Sequence, residues 1–391
     1  MSDVPHTEVA PPKGGTPNLR YKDVNECLMA GVSWEVLKAC LENATDFAPQ
    51  KVVSAADYEA EFMAEWFDHV LEPGLELPFG FPWRIRSSET TIWTGVEKSG
   101  KTTLLSYILM GLLYQGERAL VASFEVKPVK TLKKYSRQAF GGLLYDRKFV
   151  ERCESQAHRD NYRAQAEESA RETLRWLGKN LFIYDHVGIA HWREVLDDMR
   201  WARRRYGITQ FVLDNFMRLG IAKDDYTQQA DAMTAIAAFA MDCDCHVHVV
   251  VHQNKAEGKG NADGKRSVAG AYEIIANAHN IVEVQRDVNK GKKVSELFQD
   301  LEIGKIGQTE FNIEKGKLDL IPDGKFILHA QRDGEEQNGS KYLWFLWESQ
   351  QYVDVPPSHK DHRPIRFVDA ARKAEERERQ AELPTSEELG L

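Results

Sequence analysis

Residues 90–115 read TTIWTGVEKSGKTTLLSYILMGLLYQ, and no other stretch restricts the fold so tightly. An apolar, β-branched run meets Gly95-x4-Gly100-Lys101-Thr102, and an apolar run at helical spacing follows. Within a few residues a strand must stop, the backbone must wrap, and a helix must begin. Glycines permit the wrap because they carry no Cβ. The N–H groups then point inward, and the start of the helix near Lys101 adds its positive dipole end. This is the phosphate-loop pattern, in which the lysine reaches the β- and γ-phosphates and the threonine hydroxyl ligates Mg²⁺. Gly95, Lys98, Ser99, Gly100, Lys101, Thr102 and Thr103 are therefore the expected nucleotide-binding segment. Such a loop implies a nucleoside triphosphate, ATP, dTTP or another, and names no reaction.

The alternation of strand and helix continues downstream. Strands are predicted at RALVASFE, NLFIYDHVG, ITQFVLDN, HVHVVVHQ and NIVEVQRD, with helices at WREVLDDMRWARRRYG and QADAMTAIAAFAMDCD. Apolar strands separated by helices predict an α/β fold, a mostly parallel sheet covered on both faces. Such sheets place ligands at the C-terminal ends of their strands. Asp214 ends FVLD and is the candidate second Mg²⁺ ligand, although an Asp-Asn pair there also suits a plain turn. Glu125 ends ALVASFE and can orient and deprotonate water. His252, ending HVVVHQ, can report a γ-phosphate or be merely structural.

Residues 1–20, rich in Pro, Gly and polar side chains, are expected to be disordered. Residues 21–75 read as helical, with Ser54 capping a helix and Asp57 three residues on. The main body spans 76–356, entered through the Gly/Pro-rich connector EPGLELPFGFPW, and a charged tail spans 357–391. The segment 287–325 looks like an insertion between late strands. The five cysteines offer one C-x-C, Cys243 and Cys245, without a partner pair, a poor zinc pattern. No run of 18 or more apolar residues predicts a membrane helix. A net charge of −9 argues against a passive nucleic-acid coat, but not against a strand held by a few basic loops.

WTGVEKSGKTTLL, SFEVKP, FVLDN, VVHQNK and HAQRDGE, in this order, resemble the RecA-like core of DnaB-family replicative helicases, particularly phage primase-helicases and Twinkle-type enzymes. The resemblance covers roughly residues 50–355. It implies Lys101 and Thr102 on phosphate and Mg²⁺, Asp214 holding the metal, Glu125 polarising water and His252 sensing the γ-phosphate. It implies Arg332 as an arginine finger reaching into a neighbouring subunit, a contribution that can be worth about 10³–10⁵ in rate. The implied activity is an NTP-driven hexameric helicase moving 5′ to 3′ on single-stranded DNA, in bacterial or phage-infected cytoplasm.

Three departures stand out. The family's Lys-x-Arg is Ala330-Gln331-Arg332, leaving one trans cation missing unless His329 or another residue substitutes. The 287–325 insertion has no family counterpart that explains it. YKDVNECLMAG resembles the last segment of a TOPRIM primase module whose remainder is not in the sequence, so a helicase without priming activity is expected. Lys255, Lys259, Lys265 and Arg266, among glycines after the sensor strand, are the expected DNA-contacting cations, acting on the backbone without base readout. The acidic tail could meet a polymerase or other replisome protein. Two alternatives share the same core: an ATP-switched RecA-type filament, and a loader or plasmid-replication ATPase that unwinds nothing.

Overall fold

The computed structural model describes residues 24–42, 53–64, 67, 74–222, 224–252, 277–332 and 338–381. The chain divides into two compact units, Met1–Leu71 and Glu72–Leu391. In the first, α1 (Val24–Met29) and α2 (Trp34–Glu42) precede a 3₁₀ turn, Ala55–Tyr58, that leads into α3 (Glu59–Met63). The anticipated cap is present: the Ser54 side chain accepts from the Ala56 N–H and Asp57 accepts from the Ser54 N–H at 2.9 Å.

The second unit is built on β1 (Thr90–Thr94), β2 (Ala119–Ser123), β3 (Leu181–Ile183), β4 (Gln210–Asp214), β5 (His246–Val250), β6 (Asn280–Arg286), β7 (Gly324–Gln331), β8 (Gly339–Leu346) and β9 (Gln351–Val353). They form one sheet ordered β3-β2-β4-β5-β1-β6-β7-β8-β9. From β3 through β6 the pairing is parallel; β7, β8 and β9 extend it antiparallel. The helices are α4 (Lys101–Tyr114), α5 (Pro128–Phe140), α6 (Arg147–Arg152), α7 (Gln156–Asn180), α8 (Trp192–Tyr206), α9 (Tyr226–Asp242), α10 (Val288–Glu302), α11 (Gln308–Asp319) and α12 (Phe367–Ala381).

Every residue of β1, β2 and β5 is buried, as a sheet covered on both faces requires. Successive side chains go to opposite layers. Trp93 joins a core with α4 and Phe326, whereas Ile92 joins a separate core with α8 and α9. Eleven of the fourteen residues of α4 are buried, which explains its nearly unbroken apolar sequence.

Two segments differ from their sequence reading. The connector is part of the core: Trp83 is fully buried, and Phe79, Phe81 and Trp83 surround Phe326. Its prolines and glycines hid an aromatic payload. Within the charged tail, α12 docks on the body. Phe367 is buried against Tyr107 and Trp176, and Lys179–Glu375 and Arg372–Glu172 pair across the surface.

Candidate nucleotide site

The loop after β1 folds as its glycines require. Gly95 has φ 143°, and a Cβ there would strike the Val284 carbonyl and the Ser99 hydroxyl. Lys98 and Gly100 take φ 63° and 96°, completing the turn into α4. Lys101 lies over its own loop, its Nζ donating to Gly95 O at 2.7 Å and Val96 O at 3.0 Å. Burial pulls its pKa down to about 8, partly opposed by Asp214 and Glu97. An anionic group in the loop would supply the missing compensation.

Parallel register brings the other candidates alongside. Ser123 pairs with Asp214, and Asp214 with Val250, so Glu125, Asp214 and His252 all emerge at one end of the sheet. Thr102 Oγ1 donates to Asp214 Oδ2 at 2.9 Å. Burial raises the Asp214 pKa, against the Thr102 hydrogen bond and the positive charge of Lys134 on α5. Thr102, Asp214 and Lys134 line a void of about 20 Å³ together with Ser123, Thr131 and Tyr135. A hydroxyl and one carboxylate suit Mg²⁺, which keeps waters and takes phosphate oxygens for its remaining positions. The described residues contain no group of three or more His, Cys, Asp and Glu that could hold a metal ion.

Asn215 links the remaining pair. It is 2% exposed, and its Nδ2 donates to Glu125 Oε1 at 2.9 Å and lies 3.0 Å from His252 Nε2. That contact makes His252 Nε2 an acceptor and assigns its proton to Nδ1. Burial, then the nearby Lys101, lower the His252 pKa, favouring the same neutral ring. Arg218 Nε reaches the same Glu125 oxygen at 3.3 Å, near the surface. Sequence reasoning treated Asn215 only as a turn residue; its position one past a strand-end aspartate was the available signal.

A cleft of about 390 Å³ opens over the loop, lined by residues 98–103, His252, Gln285, Arg286, Asp323, Gly324, Phe345, Trp347, Gln350 and Tyr352. Most of its far wall comes from the antiparallel extension and was not anticipated. A larger cavity, about 550 Å³ beside Tyr145 and Arg163, shares no residue with this site.

The 287–325 insertion is a helical hairpin, α10 and α11, held inside by Phe298 against Phe311 at 5.0 Å. Its root sits on the cleft wall. Lys290 Nζ pairs with Asp323 Oδ1 at 2.7 Å and donates to Ile321 O, while Asp323 Oδ2 accepts from the Phe345 N–H.

Arg332 stands apart from these groups. Along the β6–β7 register, Gly324 faces Arg286 at the cleft and Gln331 faces Asn280 at the other end. The Arg332 N–H donates to His279 O at 3.0 Å, level with the start of β1, where Thr90 also binds His279. Gly95 lies against Val284, which pairs with Phe326, so at ~3.4 Å per residue β7 carries Arg332 roughly 20 Å along the sheet from its own phosphate loop. His329 is engaged within the chain, with Nε2 2.6 Å from Glu283 Oε2. Lys255, Lys259, Lys265 and Arg266 lie outside the described residues.

No family model matches the chain. Among solved structures, one described as an ATPase domain aligns with a TM-score of 0.55 and 14% identity, over 78% of this chain and 100% of that one. A second, "The Structure Of A DnaB-Like Replicative Helicase And Its Interactions With Primase", aligns with a TM-score of 0.54 and 14% identity, over 85% of this chain and 72% of that one. Likeness at that identity speaks for architecture. The chain has the RecA-like α/β fold of DnaB-like replicative helicase ATPase domains.

Proposed function

We propose that this chain is a ring-forming, NTP-driven DNA helicase whose hydrolytic sites are shared between subunits. Lys101, with the loop N–H groups of Gly95 to Thr103, binds the triphosphate. Thr102 and Asp214 would hold Mg²⁺, which would supply neutralising charge to the phosphates. Glu125 accepts a proton from the attacking water, and Asn215 keeps that carboxylate and the neutral His252 ring in a fixed relation. Arg332 supplies a cation to the γ-phosphate of the next subunit. The observation that carries this reading is the β6–β7 register, which places Arg332 at the opposite end of the sheet from its own loop. An arginine side chain cannot span that distance, so its use in hydrolysis requires a second copy.

Translocation would follow from changes in Arg332 engagement passed to the loop carrying Lys255, Lys259, Lys265 and Arg266, which grips the DNA backbone through phosphate contacts. The helical segment expected around residues 56–69 would dock on a neighbour. By resemblance, movement is 5′ to 3′.

Strand displacement on a forked DNA substrate, with Lys101→Ala as control, tests the proposal. NTP-dependent displacement by the unaltered chain and none by the variant is expected. Hydrolysis without displacement would favour the loader reading, and open filaments rather than closed rings in electron microscopy would favour the RecA-type switch.

A further inference from the structure

The wall of the cleft holds a polar group that the proposed chemistry does not use. Tyr352, in the middle of β9, is 9% exposed, and its ring meets Phe345 at 5.0 Å. Its hydroxyl lies against Gly100, where a Cβ would come within 2.7 Å of the oxygen. Gly100 immediately precedes α4, so the hydroxyl stands beside the first N–H groups of that helix and within the lining of the cleft. Among the described residues no group hydrogen-bonds to it. With no protein partner and a place in the lining, the hydroxyl is open to a ligand in the cleft.

The surroundings specify the ligand. The N-terminus of α4, Lys101 and the exposed Arg286 make this end of the cleft positive. Asp323, the carboxylate on the same wall, is paired with Lys290 at 2.7 Å. Burial and Asp323 raise the phenol pKa against the effect of Arg286, so the group stays protonated and offers a donor.

Resting on the phosphate-site reading above, we propose that the Tyr352 hydroxyl donates a hydrogen bond to a phosphate oxygen of the nucleotide held in the loop. The tyrosine is then a ligand-binding residue contributed by the antiparallel extension. It also gives Gly100 a second reason to lack a side chain: the space a Cβ would take belongs to the phenol.

Tyr352→Phe removes only the oxygen. Binding of Mg-ATP and of inorganic tripolyphosphate to the full chain would be measured by calorimetry, alongside melting curves without ligand. Both affinities should fall about tenfold, the scale of a hydrogen bond to a charged group. The unliganded melting temperature should change little, because the hydroxyl opens on the cleft and has no protein hydrogen bond to lose. Tyr107→Phe, which removes another buried hydroxyl from the same core, should leave both affinities unchanged. Unaltered affinities in Tyr352→Phe would overturn the proposal. So would weaker ATP binding with unchanged tripolyphosphate binding, which would move the contact to the sugar. Failure of the unaltered chain to bind either ligand would instead overturn the phosphate-site reading, and this inference with it.

Discussion

Asn215 shows how much one side chain can set. Its amide donates to a carboxylate and faces an imidazole nitrogen, and the proposed action on water and phosphate would need both partners in fixed orientations. Asn215→Asp keeps the shape but replaces the donor with a third negative charge between Glu125 and Asp214. Steady-state hydrolysis should show kcat reduced on the order of 100-fold with KM for the nucleotide little changed, since no phosphate-binding group is touched. A rise in KM with unchanged kcat would assign Asn215 to nucleotide binding instead.

Among elements, the α10–α11 hairpin is the least expected, and Lys290 is its anchor. The lysine is 6% exposed and its partner Asp323 30% exposed, so Lys290→Met leaves a partly buried carboxylate without its cation. The expected cost is about 2–3 kcal/mol, below that of a fully buried pair because Asp323 retains some solvent. Urea unfolding would measure it, and amide exchange should accelerate at residues 319–324. The parallel strands and the loop after β1 were legible from sequence because continuous apolar runs between helices and a glycine pattern report local constraints. Asp214, Glu125 and His252 were legible as strand ends for the same reason. The far wall of the cleft was not. The hairpin-like run of β7 to β9 is local, but Asp323, Phe345 and Tyr352 reach the cleft only because β7 pairs with β6 across the whole helical insertion, and no local pattern encodes that pairing. The burial of Phe79 and Trp83 in the connector went unread because Pro and Gly around them signal turns.

At the scale of the whole molecule, the sheet has two chemically different ends. Opposite the phosphate loop, a histidine network crosses its strands. His246 Nδ1 donates to Arg86 O at 2.6 Å and Nε2 accepts from the Thr91 hydroxyl. The Trp93 indole donates to His248 Nδ1, leaving its Nε2–H for Gln210. Both rings are fully buried and neutral; burial lowers His246 to about 4 and His248 well below its ordinary value. The unfolded chain takes up these protons near pH 6.5, whereas the folded chain resists them. Stability is therefore full above that pH and declines as pH falls from 6.5 toward 4, by about 3 kcal/mol for His246 alone. Urea midpoints should begin to drop between pH 6.5 and 5, before most carboxylates titrate; a flat profile to pH 5 would contradict the assignment.

The length of β7 has a further bearing on behaviour in solution. If the cation that completes each site hangs from the far edge of another copy, a solitary chain can hold fuel without burning it. Specific activity should then fade on dilution faster than protein is lost, and return on reconcentration, so that encounter between copies sets the throttle.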